Sequence, residues 1–235
     1  GAKWDGLFFV LYSENTPFFL KSADSTACQE GSKEVRRSLG WTESDRVIMF
    51  IAQHNWVKGP DIAMATFAKV AARDSSVRFL IVGSGSMTEE MKATAARTLD
   101  PHSVHFAGFV PSTATVPYYL ASDLVICTSR YETWARMVNE AMLCHRPCLV
   151  SRVVAAAGGL IEHEINGLVV ERPDAEAFAL AIEGFFERSP EARAQMGNAA
   201  RERAKYFAYE PHLGNAVAAA RHAVARHGKQ RKKAP

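Results

Sequence analysis

From residue 46 onward the chain alternates short, nearly continuous apolar runs with longer stretches whose apolar positions recur every three or four residues. Runs of the first kind, bounded by turn residues and rich in Val, Ile and Leu, fit strands buried on both faces, and stretches of the second kind fit amphipathic helices. The pattern predicts strands over residues 47–52, 77–82, 104–107, 124–127, 148–151 and 167–170. It predicts helices over 60–72, 88–99 and 135–144, with a shorter one over 114–121. Strands and helices in strict alternation build a parallel sheet covered on both faces. The predicted fold class is therefore α/β, a Rossmann-like doubly wound parallel sheet with C-terminal helices.

Beyond residue 170 the pattern is helical. Asp174 suits the N-cap of a helix over 175–188, and Ser189-Pro190-Glu191 starts another, with helix expected to about His227. The first 45 residues are less regular: aromatic-rich 4–12 and 17–20 predict strands, 22–32 has loop composition, and 30–39 predicts a helix leading into the first sheet strand. The expected organisation is an N-terminal segment over 1–32 with no assigned role, a Rossmann-like domain over 33–208, and a C-terminal helix and basic tail over 209–235.

At 235 residues the chain can bury one full α/β core but not two large ones. Its net charge of +3 gathers at the end, Arg226-His227-Gly228-Lys229-Gln230-Arg231-Lys232-Lys233. That stretch reads first as a solubilising terminus and second as a weak contact for anionic lipid headgroups. No aromatic residue is interleaved with those charges, so nucleic acid is not an expected partner. Cys28, Cys127, Cys144 and Cys148 form no CxxC pair, and two of them fall in apolar strand runs that suit reduced thiols. The expected location is the cytoplasm, with the basic end touching the inner face of the membrane. No apolar stretch approaches a membrane span in length, and no signal-peptide pattern is read. Cys144, His145 and Cys148 would be carried in different directions by helix, turn and strand, so no metal site is predicted.

The candidate chemistry centres on two carboxylates eight positions apart in Tyr131-Glu132-Thr133-Trp134-Ala135-Arg136-Met137-Val138-Asn139-Glu140. Glu132 falls in a strand-to-helix loop and Glu140 about a turn and a half into the helix, both at the carboxyl edge where open α/β sheets bind ligands. The N–H groups of residues 135–138 lack helical partners and suit an anion such as a diphosphate. Lys58, after the first strand, stands at the same edge and can neutralise a phosphate. In Val82-Gly83-Ser84-Gly85-Ser86 the dinucleotide fingerprint lacks its third glycine, so a dehydrogenase site is not predicted. There Gly85 serves a tight turn and Gly83 also allows close ligand approach. Gly108, Phe109 and Val110 are placed to frame a nucleotide base. Gly158-Gly159 either brings backbone near a phosphate or ends a loop. His54, His105 and His163 are isolated and read as structural or solvated. Each residue alone also fits a solvated or packing role; it is their convergence that argues for a site.

Taken in order, Lys58-Gly59, Ile81-Val82-Gly83-Ser84-Gly85, Phe106-Ala107-Gly108-Phe109-Val110, Ala121-Ser122-Asp123-Leu124, Glu132 through Glu140-Ala141, Gly158-Gly159 and Asn166-Gly167-Leu168-Val169-Val170 resemble the C-terminal half of GT-B glycosyltransferases. The resemblance is to the retaining enzymes of family 4 (group 1) and covers roughly residues 33–210. It implies a nucleoside-diphosphate sugar as donor and no cofactor. By it, Lys58 holds the diphosphate, Glu132 is the catalytic group beside the transferred sugar, and Glu140 accepts from the ribose hydroxyls. Backbone around Gly108 to Val110 holds the base, with Trp134, Ala135, Arg136, Met137 and Val138 completing the donor site.

Three departures qualify this. The family's Gly-Arg is Ala52-Gln53 here, so Gln53 occupies a phosphate-binding position without a charge and Arg136 is the candidate replacement. The family's Glu-Gly-Phe-Gly is Glu132-Thr133-Trp134-Ala135, which adds side chains where the donor sugar would press. The length leaves no room for the N-terminal acceptor-binding domain, so transfer of a hexose-type sugar requires that domain or a separate subunit. The alternative expectation is a non-catalytic, degenerate glycosyltransferase-like binding or interaction module. An epimerase on the same plan ranks below both.

Overall fold

The computed structural model describes residues 16–206 and 221–222. Six strands, β1 (Arg46–Ile51), β2 (Val77–Val82), β3 (Val104–Gly108), β4 (Leu124–Cys127), β5 (Cys148–Ser151) and β6 (Gly167–Val170), form one sheet in the order β3-β2-β1-β4-β5-β6. Every pairing is parallel. The α/β Rossmann-like class read from the pattern is the observed one, and four strands begin and end where predicted; β1 both starts and ends one residue early and β3 runs one residue longer.

The near-continuous apolar runs have a direct cause, since both faces of each strand are buried. Val47, Met49, Leu80, Val82, Val125 and Val150 point into one core, and Ile48, Phe50, Phe79, Ile81, Ile126 and Leu149 into the other. The first core also takes residues from helices α1 (Thr16–Ala23), α5 (Val116–Ala121), α6 (Arg136–Leu143), the single turn α7 (Ala156–Gly159) and α9 (Pro190–Tyr206). The polar helix α2 (Thr26–Ser38) lies against α5. The second core is closed by α3 (Pro60–Arg73), α4 (Thr88–Thr98) and α8 (Ala175–Glu187). Asp174 caps α8 as expected, accepting from the N–H groups of Glu176 and Ala177.

The N-terminal segment departs from the pattern. Residues 17–20, predicted as a strand, belong to α1, and most of 22–32, read as loop, belongs to α2. The aromatic pair suggested a pleated surface, yet Phe19 is wholly buried with its ring 6.2 Å from that of Tyr119. The Ser and Thr residues that suggested a loop start a helix instead, with the Ser25 hydroxyl accepting from the Cys28 N–H at 3.2 Å. Arg36 anchors α2 to the sheet's amino edge, donating to Ala121 O at 2.8 Å and to Asp123 at 3.1 Å, while Asp123 accepts from Val47 N at 2.7 Å. The strand predicted over 4–12, the helix expected beyond Tyr206 and the basic tail lie outside the described residues, save for a helical pair at 221–222. Among the described residues no helix is long and apolar enough to cross a membrane.

The strand order reverses between β1 and β4, and at such a switch point the loops leaving neighbouring strands diverge and open a crevice at their carboxyl ends.

Candidate functional site

The loop leaving β1 closes with a turn over Trp56–Lys58, capped by the Asn55 side chain, which accepts from Lys58 N at 3.2 Å. Gly59 follows with φ 65°, and a Cβ there would stand 2.3 Å from the Thr128 carbonyl oxygen, so only glycine lets the two loops meet. Thr128, the first residue after β4, donates its hydroxyl to Gly59 O at 2.8 Å. Arg130 donates to Trp56 O at 2.8 Å, stacks over the Trp56 ring at 4.8 Å and grips both oxygens of Asp61. These ties hold the loop bearing Lys58 against the loop bearing Glu132.

At the neighbouring strand end Gly83 adopts φ 120°, and a Cβ would fall 1.9 Å from Ala52 O. Its N–H donates to Gly108 O at 2.7 Å. A Cβ on Gly85 would meet His54 O at 2.4 Å. Both glycines thus serve a crossing of backbone over backbone. Gly83 also lines the crevice, where the sequence placed it.

The crevice holds about 720 Å³. On one side the Lys58 ammonium and Oε2 of Glu132 form an ion pair, with Lys58 29% and Glu132 13% exposed. Burial works to raise the Glu132 pKa, but the Lys58 hydrogen bond and charge, with the N–H groups of Trp134 and Ala135, outweigh it and hold the carboxyl below its ordinary 4.5. Glu140 is the opposite case. Burial lifts its pKa above 4.5, offset only in part by the Tyr119 hydroxyl at 2.9 Å from Oε2 and by Arg136, whose Nε lies 4.0 Å from Oε1. One cleft therefore holds a firmly ionised carboxylate beside a cation and a second carboxylate that accepts protons more readily.

Ala135, the N-cap residue just before helix α6, adopts the left-handed conformation with φ 66° and makes no side-chain cap. Val138 N–H donates to Ala135 O at 2.8 Å, and the Ala135 N–H turns toward Glu132. The expected row of free N–H groups over 135–138 is thereby corrected to two: those of Arg136 and Met137, which have no intrahelical acceptor.

The structure brings Gln53, Lys58, Gly83, Phe109, Val110, Glu132, Ala135, Arg136, Met137 and Glu140 to the lining of this one cleft. Gly108, Trp134 and Val138 do not line it. Gly108 contributes its carbonyl to Gly83, Trp134 is buried with its ring beside Gly159, and Val138 points into the core. Gly158 and Gly159 lie in α7, and Gly159 O accepts from Arg203 at 2.6 Å. Thr128, Ser129, Ser112 and Thr115 also line the cleft, and sequence reasoning missed them. Thr128-Ser129 carried a usable signal as the first polar pair after the apolar run 124–127. Tyr119 carried none, since its hydroxyl meets a partner 21 residues away. Among the described residues no three His, Cys, Asp or Glu side chains cluster to hold a metal ion.

The family model described as glycosyl transferases group 1 matches residues 31–203, well over half of the chain. The chain belongs to the group 1 glycosyl transferases.

Similar members include an uncharacterized glycosyltransferase of Methanocaldococcus jannaschii, 31% identical over 176 residues that cover 73% of this chain and 43% of the relative. A D-inositol 3-phosphate glycosyltransferase of Segniliparus rotundus is 30% identical over 196 residues, 80% of this chain and 42% of that protein. The chain thus spans less than half the length of these curated relatives. Among solved structures, Anabaena HepE in complex with UDP superposes with a TM-score of 0.75 at 21% identity, over 86% of this chain and 55% of HepE. The sucrose-phosphate synthase of Thermosynechococcus elongatus gives 0.73 at 24% identity, over 88% of this chain and 51% of its own. At these identities the structural likenesses establish that this group 1 glycosyl transferase shares their fold.

Proposed function

We propose that this chain is the C-terminal, nucleotide-sugar-binding half of a retaining family 4 glycosyltransferase, which transfers a hexose-type sugar when an N-terminal acceptor-binding domain or subunit closes the cleft. The observation that carries this reading is the gathering of the Lys58–Glu132 ion pair and the Tyr119-held Glu140 in one crevice at the strand-order reversal. In this reading Glu140 accepts hydrogen bonds from the ribose hydroxyls, and Phe109 and Val110, next to Gly108, border the base. Lys58 and the first N–H groups of α6 face the diphosphate. As the glycosidic bond breaks, charge develops on the departing phosphate oxygen, and a preorganised cation with helix N–H donors stabilises it without rearranging solvent. Glu132 lies beside the sugar, ionised and oriented by Lys58. HepE seen with UDP and with UDP-glucose supports a nucleotide sugar as the ligand class. Four free thiols, three of them buried, support a reducing, cytoplasmic setting.

Titration calorimetry with UDP-, GDP- and ADP-sugars tests the reading, and a chain that binds none of them is not a donor domain. The second reading, a degenerate module, is favoured by the neutral Gln53, whose amide oxygen accepts from Asn55 at 3.1 Å. Supplying an N-terminal half and measuring sugar transfer separates the two, because the module stays inactive when complemented.

A further inference from the structure

Resting on that donor-site reading, we propose that Arg136 is the principal anchor of the donor's diphosphate. Two cationic side chains line the cleft, Lys58 and Arg136. Lys58 is already committed to Glu132. The Arg136 side chain is 74% exposed, and its nearest carboxylate oxygen, Glu140 Oε1, lies 4.0 Å away, beyond hydrogen-bond reach. Oε2 of Glu140 is occupied by Tyr119. Among the described residues the Arg136 guanidinium has no hydrogen-bond partner. The arginines on the adjoining loops are engaged: Arg130 with Asp61 and the Trp56 carbonyl, Arg152 with Glu171.

The fold gains little from an arginine at this position, whose one ion pair is the 4.0 Å approach to Glu140. As the first residue of α6 it sits at the positive end of the helix, which repels a cation. Arginine four residues ahead of glutamate is also the weaker orientation for a pair along a helix. An anion in the cleft reverses that balance. The guanidinium presents a planar fork that matches two phosphate oxygens, and it rises from the same turn whose Arg136 and Met137 N–H groups lack helical partners. Gln53 lines the same cleft and supplies no charge. Among the described residues, the cleft thus has its uncommitted cation on α6 instead of on the β1 loop.

The test is calorimetry with UDP, GDP and ADP on the wild-type chain, Arg136→Gln, and Arg136→Gln combined with Gln53→Arg, each also melted without ligand. Arg136→Gln is expected to weaken the best-bound diphosphate ~10- to 100-fold, the scale of losing a charge-assisted hydrogen bond. Its melting temperature without ligand should hold or rise, and Gln53→Arg should recover affinity. Unchanged affinity in Arg136→Gln overturns the proposal, as does a loss of affinity that accompanies a fall in melting temperature. A wild-type chain that binds none of the diphosphates overturns the donor-site reading itself, so the two failures are told apart.

Discussion

The hydroxyl of Tyr119 donates to Oε2 of Glu140 at 2.9 Å, with Tyr119 wholly buried and Glu140 nearly so. A carboxylate that burial pushes toward its neutral form is thereby kept able to accept hydrogen bonds at the cleft. Tyr119→Phe keeps the ring and removes the donor, so the Glu140 pKa should climb further. If Glu140 accepts from the ribose as proposed, nucleotide affinity needs the ionised form and should then fall away at a higher pH than in the wild type as pH is lowered. Binding titrations from about pH 8 to about pH 4 read this directly, and an unmoved midpoint would show that Glu140 does not meet the ligand.

Lys58→Ala leaves a mostly buried Glu132 without its cation. Because the Glu132 pKa is depressed when folded, the stability it contributes is present above its ordinary 4.5 and is lost as pH falls through the folded value. The variant should be less stable than the wild type by about 1–2 kcal/mol at neutral pH, with the gap closing in acid. Urea unfolding at both pH values checks the sign; a gap that persists in acid would assign the loss to packing of the lysine stem.

Backbone geometry makes opposite forecasts at two positions. Ala135 holds φ 66°, so Ala135→Gly should stabilise the chain by about 1 kcal/mol. Gly59→Ala must push a Cβ into the Thr128 carbonyl, and should cost about 3 kcal/mol or more, since backbone on both sides resists movement. Thermal melts of the two variants should move in opposite directions.

At the sheet's opposite edge His145 contacts Asn198 Oδ1 through Nδ1 at 2.9 Å and Arg201 through Nε2 at 2.8 Å, and Arg201 also grips Asp24. Burial lowers the His145 pKa below 6.5; Asn198 and Asp24 act to raise it, while Arg201 and Arg146 lower it further. The folded state therefore favours neutral imidazole. Its contribution to stability is whole above 6.5 and is lost as pH falls through the folded value. His145→Asn, which tolerates the φ of 58°, should flatten the dependence of melting temperature on pH across that window.

The β-to-α order was legible because every central strand is buried on both faces, which leaves apolar runs such as 124–127 and 148–151 with sharp polar boundaries. Residues 17–32 misled for the complementary reason. Phe18 and Phe19 look like strand residues until Tyr119 provides a core for a helix, and the polar α2 depends on Arg36 reaching Asp123, 87 positions away. At the site, the motif spacing brought Lys58, Glu132 and Glu140 together. What it could not show was direction. Val138 turns inward because a helix rotates about 100° per residue, and Trp134 drops beneath the loop to meet Gly159.

Thr128 closes the loop after β4 onto the carbonyl of Gly59 after β1, so those two loops form one jaw whose width is set by strand spacing and not by any ligand. The facing jaw is different in kind: Phe109 is 75% exposed, and space around the would-be Cβ of Gly108 is empty. Changes that adapt this chain to a different ligand would then accumulate around residues 109–112, beside a Gly108 that its φ of 70° keeps as glycine, while the segment from Trp56 to Gly59 stays as it is because altering it moves two loops at once.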